Sequence, residues 1–183
     1  MRTIGIFGGS FNPIHCGHIA LAQQMLRQAA LDEIWLMVSP LNPLKQQADL
    51  LPDEQRLLLA RKALEGVEGI VASDFEFHLP RPSYTWHTLE ALREAYPDVR
   101  FALIIGGDNW QRFDRWYRAD DIRSNYPVIV YPRRGSGNEA TGAGTLPLFD
   151  VSSTEVRRRV RCGKSISGLV PDAIVDDVKR LYA

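Results

Sequence analysis

Two histidines three apart, His15 and His18, stand with Cys16 and Gly17 in the stretch GIFGGSFNPIHCGHIA at residues 5–20. The stretch begins as an apolar run and ends as an amphipathic helical pattern, with Gly8, Gly9, Ser10, Pro13 and Gly17 between. Three readings suit such a cluster: a metal site, a pair of catalytic donors, or a turn simply capped by imidazoles. Zinc needs three or four ligands, and the other two histidines, His78 and His87, are remote with no telling spacing. No metal site is expected. Glycines let a bulky anion approach the backbone, and N–H groups at a helix start attract phosphate. Two histidines beside such a turn therefore favour donation to phosphoryl oxygens. The spacing is neither GxGxxG nor a P-loop ending in Gly-Lys-Ser/Thr, so this is not a dinucleotide fingerprint.

A second anion-binding candidate lies at the other end of the chain, in Val151-Ser152-Ser153-Thr154-Glu155-Val156-Arg157. Ser152, Ser153 or Thr154 can cap the helix that follows. The helix start and the Arg157 guanidinium would then present donors to a triphosphate. Arg158, Arg159 and Arg161 continue the basic run. Alone, this segment reads as a capped helix with a solvated basic face, and the glycine-histidine turn is what makes an anion site the better reading.

The elements that must position these groups follow from apolar periodicity. Buried strands are expected at Thr3–Phe7, Ile34–Ser39, Ile70–Ser73, Phe101–Ile105 and Pro127–Tyr131, with a shorter one at Leu146–Val151. Most are continuous apolar runs, as when helices cover both faces of a parallel sheet. Helical patterns fall at 18–31, with Leu21, Met25 and Ala29 on one face, and at 53–65, 84–95, 153–162 and 171–182. Segments 40–52, 76–83, 114–125 and 133–145 are less regular, and the last reads as a polar surface loop. Strand–helix alternation with no dividing linker predicts a single α/β domain over residues 1–183. Its form is doubly wound and Rossmann-like, with five to six mainly parallel strands and helices on both faces. In such folds ligands bind beyond the carboxyl ends of the strands, where residues 7–18 lie.

Composition narrows the partners. At 183 residues the chain can bury roughly 70% of its unfolded surface. With 45% hydrophobic and 24% charged residues it has the profile of an ordinary soluble globule. A net charge of zero gives no reason to expect nucleic acid or an anionic membrane as partner. Two cysteines, far apart, form no redox or ribbon motif, and no signal-like or membrane-length apolar run is present; a reducing cytoplasm fits. Nothing in the sequence sets the oligomeric state, and a homo-oligomer stays open.

GSFNPIHCGH resembles the GxFxPxHxGH signature of the HxGH nucleotidyltransferase superfamily, and VSSTEVR resembles its ISSTxxR motif. Further likenesses narrow the family to the bacterial nicotinate-nucleotide adenylyltransferases. Pro82-Ser83-Tyr84-Thr85-Trp86-His87-Thr88-Leu89 resembles their SYTxxTL stretch. Gly106-Gly107-Asp108-Asn109 with Phe113, Trp116 and Tyr117 resembles their GxDxxxxFxxWY pattern. The resemblance covers nearly the whole chain. It implies transfer of AMP from ATP to nicotinate mononucleotide, giving deamido-NAD and pyrophosphate, with Mg²⁺ on the triphosphate.

It also implies roles. His15, His18 and Arg157 would be catalytic. ATP would meet Gly8, Gly9, Ser10, Phe11 and Gly17, then Gly106 and Asp108, and Ser152, Ser153 and Thr154. The mononucleotide would meet Tyr84, Thr85, Trp116 and Tyr117. A flat pyridine needs an aromatic face, which Trp116 or Tyr84 can supply. Its carboxylate needs donors such as the Thr85 hydroxyl and the Thr85 and Tyr117 N–H groups. Trp86 and Trp110 read as core, and His87 as a helix-surface residue. Lys45 and Arg134 are further phosphate-contact candidates. Many relatives carry a Pro-Pro-His-Lys-like stretch where this chain has Asn42-Pro43-Leu44-Lys45, so any role of that histidine does not carry over. The rival readings are an adenylyltransferase for nicotinamide mononucleotide or phosphopantetheine, a nucleotide-binding module without chemistry, and a zinc-dependent binding protein.

Overall fold

The computed structural model describes residues 1–40, 48–132 and 151–183. The apolar runs form one five-stranded parallel sheet of β1 (Arg2–Gly9), β2 (Glu33–Val38), β3 (Ile70–Ser73), β4 (Val99–Gly106) and β5 (Val128–Tyr131), in spatial order β3-β2-β1-β4-β5. The helices are α1 (Cys16–Gln28), α2 (Asp53–Ala63), α3 (Thr85–Ala95), α4 (Gly107–Gln111), α5 (Ala119–Asn125), α6 (Ser153–Arg161) and α7 (Val175–Leu181). This is the doubly wound Rossmann-like arrangement. Strand order reverses between β1 and β4, whose register pairs Phe7 with Ile104. Both strands therefore open their carboxyl ends side by side at the switch point.

Alternation along the strands sorts their side chains onto two cores. Ile4 and Ile6 of β1 and Phe101, Leu103 and Ile105 of β4 pack with Trp86, Leu89 and Leu92 of α3 and Ile122 of α5. Phe7, Ala102 and Ile104 face the opposite way, toward Ala22 and Met25 of α1, Leu57 and Ala60 of α2, Val156 of α6 and Val178 of α7. Burial on both faces is why these strands lack a polar alternation. Gly5 is fixed by close approach: a Cβ there would lie 2.7 Å from Ile104 Cδ1 and 2.8 Å from Leu31 Cδ1.

Several expectations shift. The buried face of α1 runs through Gly17, Ile19, Ala22 and Met25, with Leu21 and Ala29 only partly covered. Segment 114–125, read as irregular, holds α5. Its seven residues are too few for periodicity to register, and tertiary burial of Ala119 and Ile122 holds it. The expected helix at 171–182 is divided into a 3-10 turn, Asp172–Ile174, and α7. The expected short strand at 146–151 and the loop at 133–145 lie outside the described residues, except Val151, which is in no strand.

One buried carboxyl stands apart from the site. Glu76, in the 3-10 turn Phe75–His78 after β3, is 9% exposed and accepts a 2.8 Å hydrogen bond from Thr88 Oγ1 of α3. Burial raises its pKa to about 7, and the Thr88 bond opposes that rise. The folded chain thus binds a proton that the unfolded chain has lost above its ordinary pKa of 4.5. The stability from this uptake is complete below that pKa and disappears as pH rises through 7, an effect of about 3 kcal/mol. Glu76→Gln keeps an acceptor for Thr88 and removes the charge. Urea unfolding should find it more stable than the parent at pH 8 and near-equal at pH 4.5; a pH-independent difference contradicts the assignment.

Candidate active site

The four leading N–H groups of a helix have no partner within it, and α1 satisfies two of its own with imidazoles. His15 is the N-cap, in extended conformation, and its Nδ1 accepts from His18 N at 3.3 Å. His18 Nδ1 in turn accepts from His15 N at 3.1 Å. This is a capping box built from two histidines. The rings stack with centroids 3.6 Å apart and planes 20° from parallel. Because each Nδ1 accepts a hydrogen, the neutral ring must carry its own on Nε2. The cap therefore makes a hydrogen-bond donor of both side chains at Nε2. His15 is buried, and His18 meets the edge of Phe11 at 4.9 Å.

The turn before α1 is braced from several directions. Phe11 adopts a left-handed φ of 46° and is buried against Phe7. A Cβ on Gly9 would crowd the Phe11 ring at 3.2 Å, whereas one on Gly8 meets no described atom within 4 Å. Gly9 thus makes room for Phe11, and Gly8 lies on the exposed side of the turn. Asn12 is a hub: Nδ2 donates to Asp49 O at 2.8 Å, while Oδ1 accepts from Leu51 N at 3.2 Å and the Tyr182 hydroxyl at 2.6 Å. Burial pushes the Tyr182 phenol pKa upward, so it remains a neutral donor.

The two distant motifs meet here. Ser152 is the N-cap of α6, its Oγ accepting from Glu155 N at 3.1 Å. Ser153 Oγ donates to Pro13 O at 2.9 Å, and Arg157 Nη1 donates to Asn12 O at 2.8 Å. Arg157 Nη2 also reaches Thr154 Oγ1 at 3.4 Å. The rest of the basic run points elsewhere. Arg158 and Arg159 pair with Glu155, which their hydrogen bonds hold at a pKa of about 2, and Arg161 pairs with Asp49. Gly17 is buried in the first turn of α1, and Ser10 is exposed.

Beside this turn, β4 ends at Gly106, the N-cap of the short helix α4, with Asp108 in its first turn. Of the acceptor candidates, Tyr84 and Tyr117 come together. Tyr84 is the N-cap of α3 with no side-chain cap, leaving Thr85 to open the helix. The exposed Tyr84 and Tyr117 rings lie 5.0 Å apart, with His87 5.2 Å from Tyr117. Trp116 is half-buried, 5.1 Å from the Phe113 ring. Trp86 is core, as expected, under the Arg118 guanidinium, and His87 is on the surface. Trp110 is only partly buried, between Phe113 and Arg123. Lys45 and Arg134 lie outside the described residues. Among the described residues no three His, Cys, Asp or Glu side chains gather as metal ligands, and no helix is long and apolar enough to cross a membrane.

A parallel sheet whose switch point carries a histidine-capped, glycine-rich turn joined to an arginine helix defines a nucleotidyl-transferring class of protein. The chain belongs to the cytidylyltransferase-like family, which matches residues 6–159. Within it, the chain belongs with the nicotinate-nucleotide adenylyltransferases. It is 49% identical over 176 residues to the "probable nicotinate-nucleotide adenylyltransferase" of Bacteroides fragilis, covering 93% of this chain and 88% of that one. With the protein of the same name from Bacteroides thetaiotaomicron it is 50% identical over 160 residues, covering 84% and 79%. The solved nicotinic acid mononucleotide adenylyltransferase of Plasmodium falciparum, complexed with NaAD, shares the fold. The TM-score is 0.82 at 19% identity, over 100% of this chain and 98% of that one.

Sequence reading assigned no part to Asn12, Arg56 or Tyr182. Asn12 lies inside the quoted turn, but its donors and acceptors come from residues 37 to 170 positions away, beyond any local spacing rule. Tyr182→Phe removes one bond to this hub while Leu51 N still satisfies Asn12. It should cost about 1 kcal/mol by denaturant unfolding. An unchanged midpoint and slope would show that the C-terminal tyrosine does not brace the turn.

Proposed function

We propose that the chain transfers AMP from ATP to nicotinate mononucleotide, forming deamido-NAD and pyrophosphate, with His15, His18 and Arg157 as its catalytic residues. The observation that carries the catalytic assignment is the reciprocal histidine cap, which turns both imidazoles into Nε2–H donors at the switch point. The family relationship supports the substrates.

The acceptor is a phosphate monoester whose second pKa is about 6, so it is largely dianionic at neutral pH. It needs no general base. One of its oxygens forms a bond to the α-phosphorus of ATP while the bond to the bridging oxygen breaks, and that electron pair leaves with pyrophosphate. Catalysis is then alignment plus charge stabilisation. His15 and His18 donate to oxygens of the transferring and leaving phosphoryl groups. Arg157, oriented by Asn12 O and Thr154, turns its remaining donors toward the triphosphate. Gly8, Gly9, Ser10, Phe11 and Gly17 form the nucleotide turn, and Gly106, Asp108, Ser152, Ser153 and Thr154 border it. Tyr84, Thr85, Trp116 and Tyr117 receive the pyridine ring and its carboxylate. Lys45 and Arg134 remain proposed phosphate contacts.

Mg²⁺ suits this donor set as an ion carried mainly by phosphate oxygens and water, because the described residues assemble no protein cage. Asp108, beyond β4, is the side chain we assign to its water shell, and the ion would offset triphosphate charge. The reducing cytoplasm is the proposed compartment, in keeping with two free cysteines.

Two measurements test this reading. His15→Asn keeps an N-cap acceptor, and His18→Gln keeps the usual third-position partner of a capping box. Both should fold with melting temperatures near the parent's yet lose ~10²-fold or more in kcat. Near-parental turnover in both would sink the donor mechanism. The acceptor is tested by assaying pyrophosphate release from ATP with nicotinate mononucleotide, nicotinamide mononucleotide and phosphopantetheine. The acid mononucleotide should give the highest kcat/KM; preference for either other acceptor overturns the assignment.

A further inference from the structure

Among the described residues Arg56 is one of the largest fully buried side chains, and it lies on α2, outside the site. Each of its three nitrogens is engaged. Nε donates to Leu51 O at 2.8 Å, Nη1 to Ser10 O at 2.7 Å and Ser39 O at 2.9 Å, and Nη2 to Asp53 Oδ1 at 2.6 Å. The second oxygen of the same carboxylate accepts from Arg81 Nη2 at 3.0 Å. One carboxylate in the first turn of α2 thus joins two guanidiniums. The first holds a carbonyl of the nucleotide turn at Ser10 and the end of β2. The second belongs to the segment leading, three residues later, into Tyr84 and α3.

We propose that Arg81 is a positioning residue for the acceptor, acting through Asp53 and Arg56 to set the Arg81–Thr85 segment against the nucleotide turn. The proposal rests on the reading above that Tyr84 and Thr85 receive the mononucleotide. The two ends of the relay differ in character. Arg56 has no solvent contact, so its charge depends on fixed carbonyls and on Asp53; removing that partner leaves a buried ion uncompensated. Arg81 is 37% exposed at its side chain, and its tie to Asp53 can be cut without opening the core. The segment after it ends at an uncapped helix start. A helix N-terminus aimed at a carboxylate works only if its direction is held. A carboxylate fixed on a buried guanidinium is a rigid anchor for that purpose.

The test is a double-mutant cycle with steady-state kinetics for both substrates. Arg81→Ala should raise KM for nicotinate mononucleotide ~10-fold, with KM for ATP within about twofold and the melting temperature little changed. Arg81→Lys, which can still reach the carboxylate, should recover most of that loss. Asp53→Asn keeps an oxygen for Arg56 but removes its countercharge along with the acceptor for Arg81, so it should raise the same KM and also lower the melting temperature. The double variant should be no worse than the worse single variant, since both cut one link.

An unchanged acceptor KM in Arg81→Ala overturns the proposal, as does a parallel rise in both KM values with a lowered melting temperature in that variant. Additive effects of the two substitutions also overturn it, because Arg81 would then touch substrate by itself. Failure of the substrate reading looks different: the parent enzyme would show no turnover with the acid mononucleotide.

Discussion

An α-helix that starts at a ligand site faces a conflict. Its leading N–H groups need partners in the free protein, yet the side chains that supply them are then committed to the backbone. In α1 the conflict is resolved by imidazole, which has two nitrogens on opposite sides of one ring. His15 and His18 spend Nδ1 on each other's backbone and in doing so fix the hydrogen on Nε2. An Asn or Ser cap would close the helix equally well, but these shorter side chains would not carry a donor as far from the backbone as Nε2. Stacking at 3.6 Å keeps the two rings in register, and the buried Phe11 edge supports one of them. The cap and the proposed catalytic donors are therefore one object, and the rest of the site is arranged around it.

What braces that object comes from far along the chain. The carbonyls of Ser10, Asn12 and Pro13 accept from Arg56, Arg157 and Ser153 respectively. An extended turn between strand and helix leaves its carbonyls unpaired by regular structure, and a buried carbonyl must find a donor. Two of the three donors here are guanidiniums. Each can serve the turn and still satisfy another acceptor, because five N–H groups leave one planar head. For Arg56 burial pushes the pKa down and Asp53 pulls it back up. A guanidinium is the one cation whose ordinary pKa is high enough to tolerate this and stay charged. Lysine would carry the charge with less certainty and without the fork.

The sheet and most helices were legible because their signal is local and repeats. The continuous apolar run at Phe101–Ile105 required coverage on both faces, and the two cores sort along it as that pattern demands; at Ile70–Ser73 the same reading held for one face only, where Ile70 and Ala72 are buried while Val71 is exposed. The paired motifs were legible for a different reason: HxGH and SSTEVR carry residue types with few structural uses at that spacing. Periodicity failed at α5, where only seven residues repeat. It also assigned nothing to Arg56, because a charged residue in the helical pattern DEQRLLLARKALE carries no mark of a buried partner. Nothing within that segment says that its partners are carbonyls at positions 10 and 39. Such partnerships depend on which strand ends are neighbours, which is a property of sheet order, and the sequence-level reading fixed the elements without their order.

Sheet order is also what makes the remote braces affordable. With β1 at the centre, beside β2 and β4, the turn at its carboxyl end borders the ends of both neighbours. β2 leads on to α2 and so to Arg56 and Asp53, while β4 runs into Gly106 and Asp108. The returning chain sets α6 against the same turn through Ser153 and Arg157, and α7 leads to Tyr182. Each segment is positioned by hydrophobic packing on a sheet face, a force without direction. Hydrogen bonds to three carbonyls and one asparagine then convert that placement into orientation. Packing brings the motifs together, and the polar contacts decide which way their donors point.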